Sequence, residues 1–348
     1  MVYNKLTKVE ERIIGQLDLD ARSRFRQIGK KIRKSEQAVS YSVSSLAKKG
    51  VIKGFYTLID FSRLGVLNFR VFFRLNYIND AKFNSLANFL ATESHTMWIA
   101  ACGARYDMIC TFAARNPSQF NKLIRRIMAE FSDQIQGYSI LTTIVMRVFN
   151  RKYMNSGRTP TKEVIIGGDR EPYRLSERDI RILSEVADNP RESSVNISRK
   201  LSCDARTVVN RLKELEQMDV IRGARPFLDF SNIDYVMNIL ILRYHNISVQ
   251  DEESLINYLL AHPNVISVVK TLGEWDLEIN IEALDKWEFK KVERSIRERF
   301  SGIIQMTEAV PIYHEFKKTF FPRFILDDAV KKAEERPGKP QETAPTAP

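Results

Sequence analysis

The sequence predicts an α+β chain in which one unit is used twice, each unit a group of short helices with a β-extension followed by a βαββαβ module. Two observations carry this. LTKVEERIIGQLDLD from Leu6 returns as LSERDIRILSEVADN from Leu175, and this offset of 169 residues runs without a gap for about seventy residues. Within each repeat the apolar spacing changes from the three-and-four pattern of helices to alternating runs separated by helical stretches.

The coincident positions are mostly apolar: Ile13/Ile182, Ile28/Ile197, Val39/Val208, Leu46/Leu215 and Val51/Val220. IDFS at Ile59 meets LDFS at Leu228, and further on ARYDMI from Ala104 meets GEWDLE from Gly273. The shared feature is therefore a core, repeated along nearly the whole of both halves.

In the first copy Val9, Ile13, Ile14 and Leu17 share a helix face, Phe25, Ile28 and Ile32 mark a second short helix, and Ser35 is a natural N-cap for a third, with Val39, Val43 and Leu46 as its buried stripe. Gly50 ends that helix, and VIKGFYTLID reads as the strand pair of a wing. Three short helices, a tight turn and a wing make a winged helix-turn-helix. The second copy repeats it, with Asp204 as cap and Asp219 in place of Gly50, which Asp tolerates because it visits the left-handed region more readily than most residues. The strands and helices that follow in each copy read βαββαβ, the ferredoxin-like order. The predicted division is a helical domain over 1–62, a ferredoxin-like module over 63–150, a polar linker over 151–173, a second helical domain over 174–231, a second module over 232–326 and a disordered tail over 327–348.

Composition narrows the function. At 348 residues with 44% hydrophobic and 28% charged side chains the chain has a globular balance, and no apolar run reaches the roughly 18 residues of a membrane span. The N-terminus has no apolar signal core, so a cytoplasmic protein without a membrane partner is expected. Three cysteines and four scattered histidines lack metal-site spacing, and no phosphate-loop or nucleophile-elbow motif occurs, so no metal, cofactor or catalytic residue is assigned. The net charge of +11 is uneven: residues 1–62 hold 13 basic against 6 acidic side chains, whereas 174–231 hold 11 against 10. Such an excess on the first helical domain favours a polyanionic partner.

A winged helix-turn-helix, a strand entering IDFSRLG or LDFSNID, and a βαββαβ module with a late Gly/aromatic-Asp turn resemble, in combination, the Lrp/AsnC family of prokaryotic transcription regulators, here in tandem and most similar to archaeal versions. The resemblance covers roughly residues 6–149 and 175–316. It implies double-stranded DNA as partner, a small effector such as an amino acid, and pairing of the two modules as a pseudo-dimer within the chain, with homo-oligomers a further option. The third helix is expected in the major groove. In copy one Ser35, Glu36, Gln37, Ser40, Tyr41 and Ser44 are the candidate base-reading face, and Arg22, Arg24, Arg26, Lys30, Lys31, Arg33 and Lys34 the candidate phosphate contacts. In copy two the candidates are Arg206, Thr207, Asn210, Arg211 and Lys213; the family usually has an Arg where Arg211 stands, whereas copy one has Ser42 there. For the effector the candidates are Gly103, Tyr106 and Asp107, and Gly273, Trp275 and Asp276, the alternative being a structural β-turn with a packed aromatic. Two other functions compete with regulation: a protein-interaction factor that does not bind DNA, and a haem-pathway decarboxylase built on the same folds.

Overall fold

The computed structural model describes residues 5–76, 79–155, 161–245 and 247–335. Copy one begins with α1 (Lys8–Leu19), α2 (Phe25–Ile32) and α3 (Glu36–Lys48) and continues through β1 (Ile52–Ile59). Thr7 starts α1 with a capping box, its hydroxyl accepting from Glu10 N while the Glu10 carboxylate accepts from Thr7 N. Ser35 accepts from Ala38 N at 3.1 Å and starts α3 as its residue type predicts. The tight turn before it depends on Gly29, where a Cβ would meet the Lys34 carbonyl oxygen at 2.5 Å. Then follow β2 (Leu67–Leu75), α4 (Asp80–Thr92), β3 (Thr96–Cys102), β4 (Met108–Ala114), α5 (Pro117–Glu130) and β5 (Ile135–Phe149).

The stretch read as a linker is structured. Lys152–Asn155 forms a 3-10 turn with Lys152, Met154 and Asn155 buried, and β6 (Glu163–Gly167) pairs antiparallel with the end of β5. The apolar run Val164–Ile166 inside it is the strand signal that the flanking Gly and Pro residues obscure. Residues 156–160 lie outside the described part. Copy two comprises α6 (Glu177–Ala187), α7 (Ser194–Lys200), α8 (Ala205–Gln217), β7 (Ile221–Leu228), β8 (Val236–Tyr244), α9 (Val249–Ala261), β9 (Val265–Leu272), β10 (Leu277–Ala283), α10 (Lys286–Arg299) and β11 (Ile304–Lys318). The expected tail starts as a helix, α11 (Phe324–Glu334), whose Phe324 and Ile325 bury against the core of the second helical domain; residues 336–348 lie outside the described part.

Neither copy makes a wing hairpin of its own. β1 pairs antiparallel with β7, Tyr56 opposite Arg225, so the ribbon beside the helical domains is shared between copies. The modules are joined in the same way. Each keeps the ferredoxin-like order internally, β5-β2-β4-β3 and β11-β8-β10-β9, and the edges cross over, β3 with β11 and β5 with β9. Eight strands thus close into a ring, which leaves no free edge at the join. Helices cover each module outside, and the inner faces meet over Phe72, Trp98, Ile109, Leu141, Ile239, Ile241, Trp275 and Val310.

The two repeated motifs are structural. In IDFS and LDFS the Asp accepts from the Ser two residues on, Asp60 from Ser62 N at 3.0 Å and Asp229 from Ser231 N at 3.0 Å, closing a turn after each ribbon strand. Gly50 and Asp219 occupy equivalent positive-φ positions, at 71° and 57°.

Glu93, just after α4, lies 3.1 Å from His95 Nδ1 and also contacts Arg126. Burial pushes its carboxyl up, but the hydrogen bond from His95 and the Arg126 charge outweigh burial and hold the pKa at about 2. A folded value below the ordinary 4.5 means that this stabilisation is present above pH 4.5 and is lost as pH falls through about 2. Glu93→Gln should lower stability near pH 7 by up to about 3 kcal/mol. In urea melts, parent and variant should converge as the pH is lowered from 4.5.

Candidate nucleic-acid interface

The amphipathic spacing of α3 buries Val39, Val43 and Leu46 and turns Glu36, Gln37, Tyr41 and Ser44 to solvent, with Ser40 half-buried beside them. Tyr41 is 77% exposed, a large aromatic ring left in water in the middle of a helix. Before and around this face stand Arg24, Arg26, Lys30, Lys31, Arg33 and Lys34, all exposed. Among the described residues no carboxylate pairs with any of these six, although ion pairs are plentiful elsewhere. Unneutralised cations beside an exposed helix are what phosphate contact requires.

Arg22 is not part of that free set. Its guanidinium bonds the Glu216 carboxylate at 2.7 Å and ties the first helical domain to α8. The equivalent residue in copy two, Arg191, likewise reaches across, donating to the Ser23 carbonyl at 3.1 Å and stacking 4.5 Å over the Phe25 ring.

The second face differs. On α8, Arg206, Asn210 and Lys213 are exposed and Thr207 is half-buried, while Val208, Leu212 and Leu215 are buried. Arg211 does not extend toward a ligand: its Nε bonds Asp179 at 2.6 Å and its other end holds Glu214. Asp179 is buried and also completes the cap of α6, so Arg211 joins α8 to α6. Lys200 is likewise paired, with Glu185 at 2.6 Å, and Arg222 with Asp219.

The turns proposed for an effector are part of the frame. The Asp107 carboxylate accepts from Leu75 N at 2.7 Å and that of Asp276 from Tyr244 N at 2.8 Å, each finishing the first strand of its module. Tyr106 and Trp275 are buried, their ring centroids 6.1 Å apart, and form a triangle of rings with Phe72. Ala104 rather than Gly103 takes the positive φ in copy one, while Gly103 sits where a Cβ would meet the Tyr313 hydroxyl at 2.3 Å; Gly273 takes φ 155° in copy two. These residues pack and cap, while the Asp107 carboxylate remains exposed and that of Asp276 half-buried. The turns meet each other: Arg105 bonds Glu274, its equivalent at the same offset, at 2.8 Å.

Sequence reading missed a set of buried charges at the join. Asp18 accepts from Arg151 at 2.6 Å and Arg225 at 2.7 Å, Arg151 also bonds Glu282 at 2.7 Å, and Arg70 lies 2.7 Å from Glu278. All are nearly fully buried. The signal was present in the repeat register, because the equivalents of Asp18, Arg151, Arg225, Glu282, Arg70 and Glu278 are Ala187, Phe320, Tyr56, Ala113, Ile239 and Ile109.

The paired helical domains on a shared ribbon, above a closed ring of two ferredoxin-like modules, define a duplicated winged helix-turn-helix protein. A family model described as winged helix-turn-helix DNA-binding matches residues 175–222, in the second copy. An uncharacterized HTH-type transcriptional regulator of Pyrococcus furiosus is 28% identical over 143 residues, 38% of this chain and 89% of its own length. An HTH-type transcriptional regulator of Methanocaldococcus jannaschii is 27% identical over 145 residues, 41% of this chain and 94% of its own. Among solved structures, that of the siroheme decarboxylase NirDL covers 94% of this chain and 100% of its own at 14% identity, with a TM-score of 0.58, a likeness of fold over both copies. The second helical domain thus carries a DNA-binding winged helix-turn-helix, and the curated relatives that share about two fifths of the chain are named as transcription regulators. Among the described residues no helix is long and apolar enough to cross a membrane.

Proposed function

We propose that the chain acts as an intramolecular pseudo-dimer that engages duplex DNA mainly through its first helix-turn-helix. The observation that carries this reading is the contrast between the two faces: six exposed cations around α3 have no carboxylate partner among the described residues, whereas Arg211, Lys200 and Arg222 around α8 are taken up by carboxylates. Gln37 and Tyr41 supply the sequence-dependent contacts, Gln37 through a bidentate bond to adenine. Arg206, Asn210 and Lys213 give the second domain a weaker grip, so the preferred site has two unlike halves. The turns at Gly103 and Gly273 hold no effector in this reading. Gln37→Ala should cost about 1 to 3 kcal/mol on the preferred site and much less on random duplex, measured by fluorescence anisotropy at fixed salt. Equal losses on both would count against base reading.

The full-length likeness to a siroheme decarboxylase fold supports a second reading, an enzyme acting on a tetrapyrrole. The histidines argue for regulation instead. His95 stacks on Phe324, His262 lies against Tyr258 and His314 against Phe316, in three separate places. Incubation with iron uroporphyrin should leave no pigment on the purified chain; a stoichiometric visible absorption band would favour the enzyme.

A further inference from the structure

The ring of strands lines a partly open cavity of about 90 Å³ at the end beside the ribbon. All eight ring strands contribute to its lining, as do Tyr56 and Arg225 of the ribbon. The mouths of β-barrels are common places for small ligands. Among the described residues three polar side-chain atoms in this lining have no hydrogen-bond or ion-pair partner: Asn68 Oδ1, Thr111 Oγ1 and Arg225 Nη2. Their residues are 6%, 8% and 2% exposed. A buried polar group without a partner is costly, and an apolar side chain in its place is commonly neutral or stabilising. The fold itself accepts the apolar choice, since the equivalent of Asn68 in the second copy is Met237, on the other side of the same cavity.

We propose that this cavity binds a short hydroxy-carboxylate. Of the four cations in the lining, Arg70, Arg151 and Lys318 are matched by Glu278, by Asp18 with Glu282, and by Glu315, so the charged donor left for a ligand is the second terminal nitrogen of Arg225, whose first bonds Asp18. Arg225 Nη2 and the Thr111 hydroxyl donate to the ligand carboxylate, and Asn68 Oδ1 accepts from its hydroxyl. The apolar stem lies along Trp98, Met146 and Phe149. The volume suits a molecule of about six non-hydrogen atoms. A ligand here touches both modules and the ribbon at once.

Titration calorimetry on the full chain without DNA tests this, using L-lactate and 3-hydroxybutyrate as probes, with butyrate and propane-1,2-diol as analogues lacking one group each. Trp98 fluorescence gives an independent signal from within the cavity. Saturable binding of a hydroxy-acid probe is expected, weakened at least about tenfold for both analogues and in Thr111→Val and Asn68→Met, the loss of a hydrogen bond to a charged or buried group. The unliganded variants should melt at the same temperature as the parent or higher, which separates lost binding from lost folding. Absence of saturable heat with both hydroxy acids would overturn the proposal and leave ordered water as the partner of these atoms. Binding that neither variant weakens, or butyrate binding as tight as that of the hydroxy acids, would overturn it equally. Because no DNA is present, the outcome is independent of the DNA-binding reading.

Discussion

Replacing Asp18 by Ala should destabilise the chain by about 3 to 5 kcal/mol, because the change leaves buried guanidinium groups without their carboxylate. Asp18 accepts from both Arg151 and Arg225 and lies at the point where α1, the ribbon and the ring meet. Denaturant melts would measure the loss, and a variant within about 0.5 kcal/mol of the parent would mean that the network contributes nothing net. A companion variant distinguishes the pairing from the packing. Changing Asp18→Ala, Arg151→Phe, Arg225→Tyr and Glu282→Ala together installs the side chains found at the equivalent positions of the other side. It should recover much of the loss, since replacing a whole buried charge set by apolar groups is often neutral or stabilising, whereas breaking it is not.

The largest expected effect on binding comes from the triple change Lys30→Ala, Lys31→Ala and Lys34→Ala. These exposed lysines carry no ion pair among the described residues, so their loss should leave the fold intact. If all three meet phosphates, the slope of log K against log salt flattens by about 2.7, at about 0.9 per contact. Affinity should fall alike on preferred and random duplex, because phosphate contacts carry no base information. The matched change of Arg206→Ala and Lys213→Ala on the second face should flatten the slope by at most about 1.8. A larger flattening from the second face than from the first would reverse the proposed division of labour.

How much of this was readable from the sequence varied with how local the cause was. The repeat, the caps at Ser35 and Asp204 and the left-handed Gly50 and Asp219 rest on neighbouring residues, and the structure has them where the sequence predicts. The strand pairing of the wing was misassigned because β1 finds its partner in β7, far along the chain. Which face of β2 is the inner one is likewise set by distant contacts: Phe69, Val71 and Phe73 pack under α4 and α5, while Arg70 and Phe72 face the second copy. With both faces of a strand buried, alternation does not tell inside from outside, and an Arg reads as solvent-facing until Glu278 is known to lie opposite. Ile239 and Ile241, by contrast, do meet the other module. At the interface, exposure followed from the helix stripe, but the engagement of Arg22 and Arg211 depends on acidic partners on other helices.

The closed ring has a consequence for what such a chain can vary. In a dimer of two identical chains every substitution at the join appears twice, once on each side of the axis, so neither side can be changed alone. Here the two sides are encoded separately. Arg70 stands opposite Glu278 on one side, and the mirror positions are free to remain Ile239 and Ile109. The molecule keeps the outline of a symmetric pair while its interior is handed. Exchange with a partner bearing one copy would set Arg70 against an isoleucine, a penalty that keeps each half with its own other half.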